Sequence, residues 1–470
     1  MFRSYMFEQA LKREDKPLAR PLDGPTNTDV CIVGGGYTGL WTAIDLKKRK
    51  PDLDIVVVDK DLCGYGASGC NGGCLLTLAT KFPTLQKFYG ESEALRLVKA
   101  SEQAVADIGR FCREHHIDAD LRIDGALYMS TNQSQVGTMA PLLSVLDKHN
   151  ISSWRELELN KVKHFSGTQN VYEGFFSPKA GSVQPALLVR GMARVARAMG
   201  VRIYEGTPME SLEESFPARV VTPFGSITAK KVVLAMNAWM ARKFPQFSRS
   251  IVVVSSDLAV TEPCAELLEE IGLSHGASVC DSRIFVHYYH STADGRLMFG
   301  KGGNTFAYGS RMIRSFFEAS KYETQLKNAI KRFFPKLADI PVAASWNGGS
   351  DRSATGFPFF GQLNRNPHIF YGFGYSGNGV TQAYLGGKIL SSLVLDIDDE
   401  WSRCGFVGGP RGYFPPEPVR WIGSMAVRNA IRRKEDAEDA NRKPRWWDNK
   451  LAKFANAAGK TDKQVVRSEQ

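Results

Sequence analysis

Long apolar runs are missing from this 470-residue chain, and with them the means to cross a bilayer as a helix, which takes ~20 consecutive apolar residues. Its first ten residues also lack the sustained apolar segment of a signal peptide, and Lys12, Arg13, Glu14, Asp15 and Lys16 follow at once, so a cytoplasmic location is expected. Paired cysteines are missing as well. The eight cysteines are scattered, and Cys70 and Cys74 have no second pair to complete a zinc site; reduced thiols are expected, several buried as small hydrophobes, and no metal. There is no zinc finger, RNA-binding signature or regular alternation of aromatic and basic residues, so nucleic acid is not an expected partner despite a net charge of +11. The excess is local: from Trp401 to Gln470 there are 15 Lys or Arg against 8 Asp or Glu, a balance of +7, which fits an ordinary solvated surface better than a membrane or an anion-rich partner. With 43% apolar residues the chain is not short of core material, and its length calls for two domains with an appendage.

What is present is concentrated between Thr28 and Gly73. Asp29-Val30-Cys31-Ile32-Val33 reads as a buried strand, Gly34, Gly36 and Gly39 follow in G-x-G-x-x-G spacing around Thr38, and Leu40, Ala43, Ile44 and Leu46 mark the apolar face of a helix. The first glycine permits a tight turn, the second lets backbone approach a pyrophosphate, and the third lets the helix pack closely on the strand. Unpaired N–H groups at the positive end of that helix then face the phosphates. A second strand, Ile55-Val56-Val57-Val58, ends at Asp59, twenty residues beyond Gly39, where an acidic side chain accepts hydrogen bonds from an adenosine ribose; Lys60 stands next to it. Strand, turn, helix, strand and acid in this order predict a dinucleotide site.

A second glycine-rich stretch, residues 64–73, contains Gly66, Ala67, Ser68, Asn71, Gly72 and Gly73. It is too rich in glycine and too poor in apolar residues for a helix or strand, and reads as a surface linker or as a second backbone cradle that follows the cofactor toward its redox ring. Together the two motifs resemble the FAD-dependent oxidoreductases of the D-amino-acid oxidase and glycine oxidase superfamily, above all the gamma-glutamylputrescine oxidoreductase-like branch with its aminophosphonate oxidoreductases. The likeness extends over nearly the whole chain. It implies an α/β fold in which a Rossmann-like FAD-binding domain (28–100, 176–245 and 344–399) is interleaved with a mixed, mainly antiparallel α+β substrate domain (101–175 and 246–343), between an N-terminal arm (1–27) and a basic C-terminal extension (400–470).

The remaining pattern supplies the elements. Residues 81–89 read as a connection and 91–113 as a helix with an apolar stripe through Leu95, Val98, Val105 and Ile108. Residues 141–149, 184–199, 311–334 and 382–395 also read as helices, and a short one is expected at 421–433 before fraying from Ala457 onward. Strands are expected at 171–177, 201–204, 230–239, 251–260, 283–289 and 296–299. Gly374, Gly377, Asn378, Gly379, Val380 and Thr381 precede the helix at 382. The resemblance implies that backbone there approaches the pyrimidine edge of the isoalloxazine, where a helix N-terminus favours the charge of reduced flavin. It also implies close backbone approach at Asn237, where many members carry glycine.

The implied chemistry is oxidation of a C–N bond in a small amine, an anionic one where it is an aminophosphonate: a neutral amine carbon gives a hydride equivalent to flavin N5, and water hydrolyses the imine. The electron acceptor is oxygen or an unidentified oxidant, and FAD is expected to be noncovalent. His287 or Tyr289 could position the amine; strand alternation keeps His287, Tyr288, Tyr289 and His290 from sharing one face. Arg283, Lys301 and Arg352 could bind a carboxylate or phosphonate, for which an arginine fork is well shaped, and Trp346 could wall the pocket. Cys70 stands where relatives commonly carry arginine. Competing readings are oxidation of gamma-glutamylputrescine or of a secondary amino acid, and an FAD-bound electron-transfer subunit.

Overall fold

The computed structural model describes residues 3–14 and 20–458. All four residues of the strand Ile55–Val58 are buried, as a strand covered on both faces of a parallel sheet requires. It lies inside a sheet ordered Phe359–Gln362, Ile369–Phe373, Gly225–Leu234, Thr26–Val33, Ile55–Val58, Arg202–Tyr204, whose last four pairings are parallel. The helix Tyr37–Arg49 starts directly after the glycine turn and packs against Gly379–Val394. Gly387 sets their separation, because a Cβ there would fall 2.5 Å from the Trp41 Cβ.

A second sheet runs Val342–Ser353, Ile251–Thr261, Leu297–Phe306, His287–Ser291, Ser278–Asp281, Ala126–Ser130, Glu173–Ser177, Arg155–Glu156. Every pairing in it is antiparallel except that between Ser278–Asp281 and Ala126–Ser130. The molecule is therefore a mixed α/β structure with a Rossmann-like region and a separate, mainly antiparallel sheet, as predicted. No helix among the described residues is long and apolar enough to cross a membrane.

Several local expectations are corrected. The arm, for which no element is predicted, contains a helix, Tyr5–Lys12; Ser4 caps it by accepting from the Phe7 N–H at 3.2 Å, and Met6, Phe7 and Ala10 are buried. Residues 81–89 are not a connection: Phe82–Tyr89 is helical, with Pro83 tolerated in its first turn. One helical turn, Ala67–Cys70, interrupts the glycine-rich stretch. The helix expected at 311–334 shrinks to Glu323–Phe333, because the chain before it is bent around the short turn Arg314–Phe317. Only His287–Ser291 of the strand expected at 283–289 is extended; residues 282–286 form a loop. At the other end, the short helix expected at 421–433 is 21 residues long, Val419–Asp439, and docks against Leu297–Phe306. The fraying expected from Ala457 lies, from residue 459 on, outside the described residues.

Candidate active site

Between the two sheets lies a cavity of about 700 Å³. Its first end is built by the glycine turn. Gly34 has φ +115°, and a Cβ there would sit 2.4 Å from the Ala235 carbonyl oxygen, so no other residue fits without moving the neighbouring strand. Gly39 is buried beneath the helix rather than on the cavity wall, where a Cβ would strike the Gly34 oxygen. Gly36 and Thr38 do face the cavity, and Thr38 Oγ1 donates to the Tyr375 hydroxyl at 2.8 Å. Asp59 accepts from the Gly35 N–H at 2.7 Å and from the Asp61 N–H at 2.9 Å, while burial raises its carboxyl to about 7. Lys60, also on the wall, holds its ammonium 4.8 Å from the centre of the Trp239 ring.

The second cradle closes over the start of the same helix. Ser68 Oγ accepts from the Tyr37 N–H at 2.9 Å, so it caps the helix end that a phosphate would otherwise meet. Asn71 fixes the loop, donating to the Ala67 and Ser68 carbonyls and accepting from the Gly73 N–H at 2.8 Å. Gly73 itself is off the wall, with φ +70°, pressed against the Val183 carbonyl. Gly66, Ala67 and Gly72 line the cavity, and Asn237 does so with φ +50°.

The third segment comes from Val342–Ser353 and the loop before Gly379–Val394. The buried Asp351 carboxylate accepts from the Gly374 N–H, and its own carbonyl accepts from the Ser376 N–H at 3.0 Å. Burial raises this carboxyl to about 7 against those hydrogen bonds. Gly374 is therefore a structural hinge and Thr381 is buried in the helix, whereas Gly377, Asn378, Gly379 and Val380 reach the wall. A Cβ at Gly66, Gly377 or Gly379 would meet nothing nearer than 3.4 Å. Bare backbone thus faces open space at Gly66 and at the Gly377–Gly379 loop, along the cavity whose first end is the glycine turn, which is the fit an extended dinucleotide needs.

The catalytic candidates divide. Arg352 lines the cavity, half-buried; its Nη1 donates to the Ser376 carbonyl at 3.1 Å, and no carboxylate among the described residues pairs with it. Burial lowers its pKa to about 10, opposed by the charge of Asp351. Arg283 also reaches the wall, but its guanidinium is spent on Asp281 at 2.7 Å and on Asp439, so it is no free anion binder. Lys301 is buried behind the sheet, beside Glu435.

His287, Tyr289 and Trp346 are off the wall. His287 is buried against Asp281 at 2.8 Å and is pushed down to about 3 by desolvation, so it is a neutral interior histidine. The Tyr289 hydroxyl donates to the Ser166 carbonyl at 2.6 Å inside an aromatic cluster. Trp346 is fully buried and donates from Nε1 to the Cys70 carbonyl at 2.8 Å, supporting the second cradle from behind. The strand alternation holds, but with the opposite parity: Tyr288 is the cavity residue, its hydroxyl 2.7 Å from Ser256 Oγ. The signal lies across the ladder, where Tyr288 pairs with Gly300 and a Cβ on that glycine would overlap the ring. His290, on the same face, has Nε2 3.0 Å from the Gly72 carbonyl. Cys70 and Cys74 line the cavity as well, and burial pushes their thiols up to about 12 and about 11. None of the eight cysteines is in a disulfide.

The chain is similar to proteins across one group. It is 29% identical over 368 residues to gamma-glutamylputrescine oxidoreductase of Escherichia coli K12, covering 78% of this chain and 83% of the relative. It is 26% identical over 410 residues to the probable oxidoreductase OrdL of Haemophilus influenzae, covering 85% and 90%. In fold it matches glycine oxidase from Geobacillus kaustophilus, with a TM-score of 0.66 at 20% identity over 80% of this chain and 96% of the other. L-amino acid deaminase from Proteus vulgaris matches with a TM-score of 0.65 at 16% identity, over 80% and 96%. The model of the DAO family, FAD dependent oxidoreductase, matches residues 29–393, and the chain belongs to that family.

Proposed function

We propose that the protein oxidises a C–N bond of a small amine that carries an anionic group, with FAD held noncovalently along the cavity and Arg352 anchoring the anion. The observation that carries this reading is the half-buried Arg352 on the cavity wall with no carboxylate partner among the described residues. A desolvated guanidinium without a counter-ion favours an anionic ligand, and its fork suits a carboxylate or phosphonate. The loops around Gly34, Gly66 and Gly377 would hold the FAD, which when bound supplies a two-electron acceptor for the hydride equivalent.

The chain's own residues have the remaining tasks. Arg352 orients the substrate through its anion, and Tyr288 with Ser256 offers a hydroxyl pair beside the reacting region. Tyr288, with its pKa raised by burial, stays a neutral hydroxyl that can hold an amine lone pair or a water. Leu258 and Val286 add apolar wall that limits water around the carbon. The substrate loses a hydride equivalent from carbon and a proton from nitrogen, and water then converts the imine to a carbonyl and an amine.

Within this class the sequence resemblance favours an aminophosphonate. The 29% identity to gamma-glutamylputrescine oxidoreductase supports a second reading, since that amine also bears a carboxylate. The test is anaerobic bleaching of the FAD-loaded protein by 2-aminoethylphosphonate, its N-methyl derivative, gamma-glutamylputrescine, simple amino acids and alkylamines that lack an anionic group. Fast bleaching by the phosphonates alone supports the first reading, and bleaching by gamma-glutamylputrescine alone the second. Bleaching by uncharged amines as readily as by anionic ones removes the role of Arg352. Silence from every amine overturns amine oxidation and favours an electron-transfer subunit.

A further inference from the structure

The C-terminal helix Val419–Asp439 lies beyond the matched family region, which ends at 393, yet it grips a loop of the cavity wall. Arg283, Ile284 and Val286 line the cavity from the loop between Ser278–Asp281 and His287–Ser291. Glu435 accepts from the Phe285 N–H at 3.1 Å, and Asp439 accepts from Arg283 Nη1 at 2.8 Å. Lys301 donates to the Phe285 carbonyl at 3.1 Å and lies 3.9 Å from Glu435, so both backbone polar groups of Phe285 are held by this cluster. Ile284 and Phe285 pack with Ile431 and Ala452 in one apolar cluster. Asn132 and Arg332 also donate to Asp439, and Arg428 and Arg432 bind Asn304 on the adjoining strand.

We propose that Glu435 and Asp439 are positioning residues for substrate recognition: by pinning residues 282–286 and neutralising Arg283 and Lys301, they leave Arg352 as the anion anchor. The inference rests on the preceding reading that the amine occupies this part of the cavity. An acid-free version of the helix would leave Arg283 with Asp281 as its one carboxylate partner among the described residues and take the Glu435 partner from both Lys301 and the Phe285 N–H, loosening the loop that forms this part of the wall. The Arg283 guanidinium is held from both sides, by Asp281 and by Asp439, and such a hydrogen-bonded ion network favours one arrangement of the backbone around it.

The test compares wild type with Glu435→Ala, Asp439→Ala, the double variant and the conservative Asp439→Glu in the full, FAD-loaded chain. Hydrogen exchange is expected to rise about tenfold or more in residues 282–286 of the double variant and to stay unchanged in residues 34–39 and 66–73. The KM for the amine found to reduce the wild type is expected to rise about tenfold, with kcat within about twofold and the flavin spectrum unaltered, and Asp439→Glu to recover most of the loss. Unchanged exchange in 282–286, or equal losses of KM, kcat and flavin retention, overturns the proposal. If no amine reduces the wild type, the functional reading fails on its own, and the exchange arm still decides whether the helix positions the loop.

Discussion

Replacing Arg352 tests the anion anchor most directly. Among the described residues its guanidinium makes one hydrogen bond, to the Ser376 carbonyl, and the side chain lines the cavity. A hydrogen bond to a charged group is worth about 1.5–3 kcal/mol, so a bidentate grip on a carboxylate or phosphonate contributes about 3–6 kcal/mol. Arg352→Lys keeps a charge but offers one donor where two are needed; the expected loss of about 1.5–3 kcal/mol corresponds to a rise in Kd of about 10- to 150-fold. Arg352→Met removes both contacts and is expected to weaken binding more than about 100-fold. The assay is stopped-flow anaerobic bleaching of bound flavin at increasing amine concentration, where the half-saturation point reports Kd and the plateau the rate of the chemical step. An uncharged amine of equal length serves as the reference, and its binding is expected to change by less than about threefold. If Arg352→Met weakens the charged and uncharged amines alike, or leaves both unchanged, the anion-anchor argument is wrong.

Three other outcomes are expected. Gly34→Ala places a Cβ against the Ala235 carbonyl in a left-handed backbone conformation and costs about 1–3 kcal/mol from backbone strain alone, so the purified variant should lose FAD on gel filtration; wild-type flavin content would refute the fit. Asp351, raised by burial to about 7, binds its proton more tightly folded than unfolded, so its contribution to stability is present at about pH 4 and fades as pH rises through about 7. Asp351→Asn keeps an acceptor for the Gly374 N–H and removes that slope: its Tm should gain on the wild type between pH 5 and pH 8, and parallel curves would count against the assignment. Trp346→Phe strands the Cys70 carbonyl and should cost about 1–3 kcal/mol in urea unfolding, whereas a change under about 0.5 kcal/mol would mean that the indole hydrogen bond is idle.

The cofactor end was legible because its signals are local. Gly34, Gly36 and Asp59 are tied to strand ends by spacing alone, and the all-apolar Ile55–Val58 can be little else than a buried strand. The substrate end was not, because it depends on which face of a strand turns inward. Alternation separates His287 and Tyr289 from Tyr288 and His290, but parity is set by Gly300 on the next strand and by Gly72, remote in sequence, which make room for the Tyr288 ring. Arg283 and Arg352 are alike as sequence. They differ because Asp439, 156 positions along, reaches the first, whereas among the described residues no carboxylate forms an ion pair with the second. The arm helix escaped notice for a similar reason: Phe7 and Met6 find their partners around Gly69 and Gln184, not nearby in the chain.

The order of strands in the Rossmann-like sheet also bears on how the protein is made. Thr26–Val33 is flanked by Ile55–Val58 on one side and by Gly225–Leu234 on the other, with Ile369–Phe373 beyond. A ribosome therefore releases the glycine turn long before the strand that supplies Ala235 and longer still before the loop at Gly377. Residues that line the one cavity, such as Gly34 and Gly377, are separated by more than 300 positions, so the nascent chain cannot complete it until most of the chain has emerged. Such non-local pairing slows folding and leaves strand edges open meanwhile. Free FAD during late synthesis or refolding would then act as a template, joining segments that the growing chain delivers far apart in time.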